Sequence, residues 1–128
     1  MKNKIFLSYS FQDRDWVSQF VNVLQENGIN AWFDMESIKF GDSIHDAIAD
    51  ALRESNVMVL ILSERSVRSP WIFFELGAAV ADKKRIIPIV IDDTRIEEIP
   101  MPLIRYQFLK ESSPIQAGAK IAAALAEP

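Results

Sequence analysis

The sequence predicts an α/β fold in which helices cover both faces of a parallel sheet. Short apolar runs alternate along the chain with longer segments of helical periodicity, which is the pattern of βαβ units. One run, Val57–Leu62, is apolar at every position, as expected for a strand buried on both faces. With 128 residues, 49% of them hydrophobic, the chain is long enough for one core and too short for two. We therefore expect a single domain over residues 1–128.

Five strands and four helices are predicted in alternation. The strands are expected at residues 5–9, 29–33, 57–62, 86–91 and, more weakly, 107–109. The helices are expected at residues 13–27, 43–54, 69–83 and 115–126. Asp13 is suited to cap the first helix, and Gly28 is suited to end it.

Ligands of parallel α/β sheets bind beyond the carboxyl ends of the strands, near a switch in strand order. This geometry selects residues 9–11, residues 33–34 and the loop through Ser43 as walls of a site, with Ser63 and Glu64 as weaker candidates. Residues 33–43 form a long connection, since loops in α/β units commonly have about 2 to 6 residues. Ile38 and Phe40 suit this loop to gating a pocket or docking a partner; the alternative is a surface loop without a special role.

Composition excludes several classes of function. Eighteen acidic and fourteen basic residues give a net charge of −4, which does not favour nucleic acid as a partner. The absence of cysteine excludes disulfides, thiolate nucleophiles and cysteine metal sites, and His45 is the single histidine. The first residues lack the long apolar region and the cleavage site of a signal peptide, and no apolar run approaches the roughly 20 residues that span a bilayer, so we expect a cytoplasmic protein without membrane contact. Two glycine-rich phosphate-binding motifs are absent from the sequence: the dinucleotide-binding motif G-x-G-x-x-G after the first strand, and the P-loop motif G-x-x-x-x-G-K-[ST].

Glu75 is the one charged residue in the run from Pro70 to Ala81. Ser69 and Pro70 suit the start of a helix, which places Glu75 beyond the first turn and on one face with Trp71. A partly desolvated carboxylate in a cleft walled by Trp71 has its pKa raised, a common property of functional carboxylates. The alternative is a solvated glutamate on the outer face of the helix. The residues alone leave both interpretations open.

Taken together, the motifs resemble a Toll/interleukin-1 receptor (TIR) domain, of the bacterial type that includes NAD+-cleaving members. The resemblance is ordered and extends over nearly the whole chain. Its motifs are Ile5-Phe6-Leu7-Ser8-Tyr9-Ser10 with Asp13, Trp32-Phe33-Asp34 leading to Gly41-Asp42-Ser43, Leu60-Ile61-Leu62-Ser63, Ser66-x-x-Ser69-x-Trp71-x-x-x-Glu75-Leu76, and Ile87-Pro88-Ile89.

The resemblance implies a flavodoxin-like α/β/α fold with five parallel strands in the order 2-1-3-4-5. It also implies cleavage of NAD+ between nicotinamide and ribose, with Glu75 catalytic, NAD+ as substrate and no further cofactor. The substrate-binding residues that it implies are Tyr9, Ser10, Phe11, Asp34, Lys39, Gly41, Ser43 and Trp71.

Self-association through the loop of residues 34–43, or association with other TIR domains, is a further implication, as is a role in bacterial immunity, antiviral defence or cell death. Two other functions stay open from the sequence. One is a non-enzymatic adaptor that signals by association between TIR domains. The other is a sensor that binds NAD+ or a related nucleotide without cleaving it.

Overall fold

A five-stranded parallel sheet organises the molecule. The structure, a computed structural model, describes residues 4–32, 53–64, 85–94 and 109–126. In these ranges the strands are β1 (Lys4–Ser8), β2 (Asn30–Trp32), β3 (Val57–Leu62), β4 (Arg85–Val90) and β5 (Leu109–Lys110). They are parallel throughout, in the order β2-β1-β3-β4-β5, which confirms the predicted topology.

Alternation along the strands divides the buried side chains between two faces of the sheet. One face packs against two helices, α1 (Arg14–Glu26) and the C-terminal helix (Pro114–Ala126). Its strand residues are Ile5, Leu7, Val57, Val59, Ile61 and Ile89. The intervening side chains point to the opposite face and are also buried, among them Phe6, Met58, Leu60 and Leu62. The prediction that Val57–Leu62 is buried on both faces is therefore confirmed.

Helix α1 follows β1 after a short 3-10 turn at Phe11–Asp13 and ends in a complete Schellman motif. Gly28 has a φ of 75° and its N–H donates to the carbonyl of Gln25 at 3.0 Å, while the N–H of Ile29 donates to that of Leu24 at 3.0 Å. Ile29 and Leu24 are both buried in the core, which supplies the hydrophobic contact of this motif. Gly28 therefore ends the helix as predicted.

The two described helices pack closely against each other. Gly118 of the C-terminal helix faces α1, where an added Cβ would lie 2.7 Å from Val23 Cβ and 3.2 Å from the carbonyl oxygen of Phe20. Real Cβ contacts are longer than this, so only a residue without a side chain permits this separation of the helices. The apolar stripe of α1 (Val17, Phe20, Val21, Leu24) has helical spacing and is buried.

Pro88 lies within β4, between β3 and β5. The N–H of Ile91 donates to the carbonyl of Leu62 at 3.1 Å, so the backbone nitrogen of Pro88, three residues earlier, faces the β5 side. The described pairing with β5 begins only at Ile89, opposite Leu109. The missing donor of Pro88 therefore interrupts none of the described pairing.

The predicted elements differ from the described ones mainly at their ends. Strands β1 and β4 each begin and end one residue earlier than predicted, and β5 includes Lys110, which was not predicted to be in a strand. Arg53 and Glu54 are helical, at the end of the helix predicted for residues 43–54. The rest of that helix, the predicted helix 69–83 and residues 33, 107 and 108 lie outside the described residues.

Among the residues that the structure describes, no helix combines the length and apolar character required to cross a membrane.

Candidate functional site

The candidate site lies at the carboxyl edge of the sheet, where β1 and β3 are neighbours. The chain leaves β1 to form β2 on one side and later returns to form β3 on the other, so the strand order switches at this point. Ligands of doubly wound sheets bind at such a switch. Ser8 and Leu60 form the last pair between these two strands, and Tyr9, Ser10 and Phe11 follow Ser8 directly.

Three of the predicted substrate-binding residues lie together in this turn. Tyr9 is partly buried and packs against the core, and Ser10 is also partly buried. The Ser10 hydroxyl oxygen accepts a hydrogen bond from the Gln12 N–H at 3.4 Å, and the Ser10 carbonyl accepts one from the Asp13 N–H at 2.8 Å. Phe11 begins the 3-10 turn. Ser10 thus caps this turn. It is the acceptor in both bonds, so neither of them uses its hydroxyl hydrogen.

Asp13 departs from its predicted role. It lies at the N-cap position of α1, but its side chain makes no capping hydrogen bond. Its carboxylate instead accepts a hydrogen bond of 2.6 Å from the hydroxyl of Ser63, the first residue after β3. Only 5% of Asp13 and 0% of Ser63 are exposed, so this bond is shielded from water. The prediction of a local cap by Asp13 was wrong because the side chain reaches across the switch point.

A second carboxylate ties the ends of β3 and β4 together. Asp92 accepts hydrogen bonds from the Glu64 N–H at 3.0 Å, from the Thr94 N–H at 3.0 Å and from the Thr94 hydroxyl. Thr94 is buried, whereas Glu64 is exposed. Neither Asp92 nor Thr94 was predicted from the sequence to lie at the site. The signal in the sequence is a carboxylate directly after the apolar run that ends at Ile91, followed two residues later by threonine.

The start of α1 is held by a contact with the segment that follows β5. The indole N–H of Trp16 donates to the carbonyl of Ser112 at 2.8 Å, and its ring stacks on Phe20 with centroids 5.4 Å apart. This contact joins α1 to the segment between β5 and the C-terminal helix. The turn after β1 is therefore followed by a helix whose first residues are fixed on the core.

Glu111 follows β5 at the same edge of the sheet and is the described group with a clear pKa shift. The hydrogen bond from Lys120 Nζ, at 2.7 Å, is the main cause that lowers the pKa of Glu111, and the Ser113 N–H at 3.2 Å adds to it. In the described ranges, no group of three His, Asp or Glu side chains is arranged to hold a metal ion.

Six of the nine predicted site residues lie outside the described residues, so their proximity to Tyr9 and Ser10 stays a prediction. They are Glu75, Trp71, Asp34, Lys39, Gly41 and Ser43.

A parallel sheet in the order 2-1-3-4-5, with polar residues gathered at its switch point, defines a doubly wound α/β domain. The family model described as "TIR domain" matches residues 5–123, and the chain belongs to that family. A solved structure of a TIR-STING receptor from C. gigas superimposes with a TM-score of 0.81 at 21% identity, covering 97% of this chain and 39% of that one.

Several curated relatives are similar in sequence. The probable 2′ cyclic ADP-D-ribose synthase TcpO of Methanobrevibacter olleyae is 34% identical over 79% of this chain and 32% of its own length. The 2′ cyclic ADP-D-ribose synthase AbTIR of Acinetobacter baumannii is 33% identical over 66% and 34%, respectively. The NAD(+) hydrolase TcpC of Escherichia coli is 31% identical over 66% and 29%. The match spans about a third of the length of these relatives.

Proposed function

We propose that this chain cleaves NAD+ at the bond between nicotinamide and ribose, with Glu75 as the catalytic carboxylate. The observation that carries the proposal is the Trp71-x-x-x-Glu75 spacing in a chain of the TIR family. Relatives that are 31 to 34% identical are named as NAD+ hydrolases or cyclic ADP-ribose synthases, which supports the same chemistry here.

The reaction explains why a single carboxylate is sufficient. When the bond between C1′ and the pyridinium nitrogen breaks, its electron pair leaves with nicotinamide, which becomes neutral. Enzymes that hydrolyse O-glycosidic bonds generally need a second carboxylic acid to protonate a poor leaving group. Cleavage of NAD+ needs no such acid, because nicotinamide leaves as a neutral molecule. Glu75 would accept hydrogen bonds from ribose hydroxyls and stabilise the positive charge that develops on the ribose.

The fate of the ribose cation determines the product. Addition of water to C1′ with loss of a proton gives ADP-ribose. Attack on C1′ by a nucleophile of the adenosine half, also with loss of a proton, gives a cyclic ADP-ribose isomer. The relatives include enzymes named for each outcome, so the product must be measured.

The substrate is proposed to bind across the turn that follows β1. Tyr9, Ser10 and Phe11 would lie beneath it, and the other predicted binding residues would line its rim. The position of the turn at the switch point supports this assignment, because ligands of this fold class bind there. Ser10 also retains a hydroxyl hydrogen for a ribose or phosphate oxygen.

Chromatographic detection of nicotinamide released from NAD+ tests the proposal. Glu75→Gln removes the charge and keeps the shape of the side chain, so we expect it to slow release by at least about 100-fold. Glu26→Gln is the matched control, because Glu26 ends α1 and is exposed; we expect native activity. NAD+ that binds to the native chain without being cleaved would instead support the sensor.

We further propose that the loop of residues 34–43 mediates self-association and that assembly switches the enzyme on. The support is its length and the apolar side chains of Ile38 and Phe40 among charged neighbours. NAD+ depletion or a cyclic nucleotide would then act as the signal of a bacterial immune or cell-death response in the cytoplasm. A chain that assembles and never releases nicotinamide would be an adaptor.

A further inference from the structure

The hydrogen bond between Ser63 and Asp13 is shorter than the two described bonds within the turn after β1. Its 2.6 Å length lies in the range of a hydroxyl that donates to a carboxylate. The two residues are 50 positions apart in sequence and nearly inaccessible to water. They join the turn after β1 to the first residue after β3, beyond the last pair between these two strands.

Stabilisation of helix α1 does not explain this contact. A side chain at the N-cap position ordinarily accepts a hydrogen bond from an N–H of the first turn of its own helix. The Asp13 side chain makes no such bond. Its carboxylate instead accepts a hydrogen bond from Ser63, the first residue after β3.

The contact extends in two steps to a predicted substrate-binding residue. Ser63 donates to the Asp13 carboxylate, and the Asp13 backbone N–H donates to the carbonyl of Ser10 at 2.8 Å. Ser63 itself continues directly from β3, whose six residues are all buried. The buried central strand is therefore coupled to the backbone of the turn that presents Tyr9 and Ser10.

We propose that Asp13 and Ser63 are positioning residues, which hold the turn of residues 9–13 in the geometry that binds the substrate. This inference rests on the proposed NAD+ cleavage for its substrate. Neither side chain needs to touch NAD+. Loss of their bond should loosen the turn and weaken substrate binding, with little effect on the chemical step at Glu75.

Steady-state kinetics of Ser63→Ala test the effect on the substrate. We expect the KM for NAD+ to rise roughly 10-fold, less than the ~100-fold that a 1 Å misplacement of reacting groups can cost, with kcat within about 2-fold of native. Asp13→Asn keeps an oxygen acceptor of the same shape, so its KM should stay near the native value. Should Ser63→Ala fail to fold, Ser63→Cys retains a side chain of similar size with a weaker donor.

Amide hydrogen exchange tests the turn itself and does not depend on activity. In Ser63→Ala the amides of Gln12 and Asp13 should exchange at least about 10-fold faster than in the native chain, and those of Val21 and Leu24 should be unchanged. Thr94→Val is the matched control, since it also removes one hydroxyl-to-carboxylate bond of a buried residue, a part-buried bond in the segment after β4. It should change neither the exchange in the turn nor the KM.

Unchanged exchange in the turn of Ser63→Ala, or an equal change in Thr94→Val, would overturn the proposal. So would faster exchange with a native KM, or a fall in kcat with no change in KM. If the native chain releases no nicotinamide, the proposed function fails and the substrate role fails with it. The exchange experiment then still decides whether the pair holds the turn.

Discussion

Two residues at the ends of α1 differ in whether their role depends on nearby or on distant parts of the chain. Gly28 is used locally, because its φ of 75° is a conformation that side chains disfavour and the Schellman motif requires. Asp13 has the residue type of a local cap, but its carboxylate bonds to Ser63 across the switch point. The glycine was predictable from the sequence, since its role depends on its neighbours. The partner of Asp13 was not, because it lies 50 residues away.

The ion pair of Glu111 and Lys120 predicts how stability depends on pH. Because Lys120 lowers the pKa of Glu111 in the folded chain, folding favours the ionised carboxylate. This stabilisation is fully present above the pKa that Glu111 has in the unfolded chain. It is lost as the pH falls through the lower pKa that Glu111 has in the folded chain. We expect Lys120→Met to unfold at lower denaturant concentration than the native chain at neutral pH, with the difference vanishing at acidic pH.

Denaturant unfolding followed at several pH values measures this effect. Lys4→Met is the control, since Lys4 and Glu54 are 3.4 Å apart with side chains 53% and 70% exposed, and pairs so exposed contribute little. A difference between Lys120→Met and native that persisted below the pKa of Glu111 would contradict the electrostatic explanation.

At the scale of elements, α1 and the C-terminal helix cover one face of the sheet and depend on Gly118 for their close approach. We expect Gly118→Ala to lower the free energy of unfolding by about 1–3 kcal/mol, as overpacking does. The sign is informative, because alanine in an open helical position would instead stabilise by up to about 1 kcal/mol.

Denaturant unfolding of Gly118→Ala decides between these signs. Addition of Val23→Ala should restore only part of the loss, because Val23 Cβ, the atom nearest to the added methyl group at 2.7 Å, remains. A stabilised Gly118→Ala would show that the helices separate without cost.

The strands were predicted better than the contacts between them. Long apolar runs such as Val57–Leu62 determine a buried strand by themselves, and their alternation with helices predicts a parallel sheet. The exact ends of the strands were less predictable. Ile29 is a residue type that favours strands, but its N–H completes the Schellman motif at the end of α1, and β2 begins at Asn30. The strand order itself was expected from the family resemblance. In the site, Ser10 could be selected from its place after β1, whereas its link to Ser63 through Asp13 depends on tertiary structure.

At the scale of the whole molecule, the proposed activity depends on self-association of the chain. We expect the rate of nicotinamide release per molecule to rise with protein concentration. Phe40→Asp should reduce both this rise and the mass measured by analytical ultracentrifugation, because a charge opposes burial of the loop in an interface. Gln19→Asp, on the exposed face of α1, is the control and should leave both unchanged.

Equal activity per molecule at all concentrations would contradict activation by assembly. Assembly that survives Phe40→Asp and fails in Gln19→Asp would move the interface from the loop to α1.

Nicotinamide release from NAD+ by the native chain and by Glu75→Gln, at equal and high protein concentration, tests the central claim most directly. Removing one preorganised electrostatic group from a catalytic site commonly costs a factor of 10² to 10³ in rate. We therefore expect release by the native chain and a rate at least about 100-fold lower for Glu75→Gln. Equal nicotinamide release by the native chain and by Glu75→Gln would contradict the claim that Glu75 is catalytic. A native chain that assembles and releases no nicotinamide would contradict the proposed NAD+ cleavage.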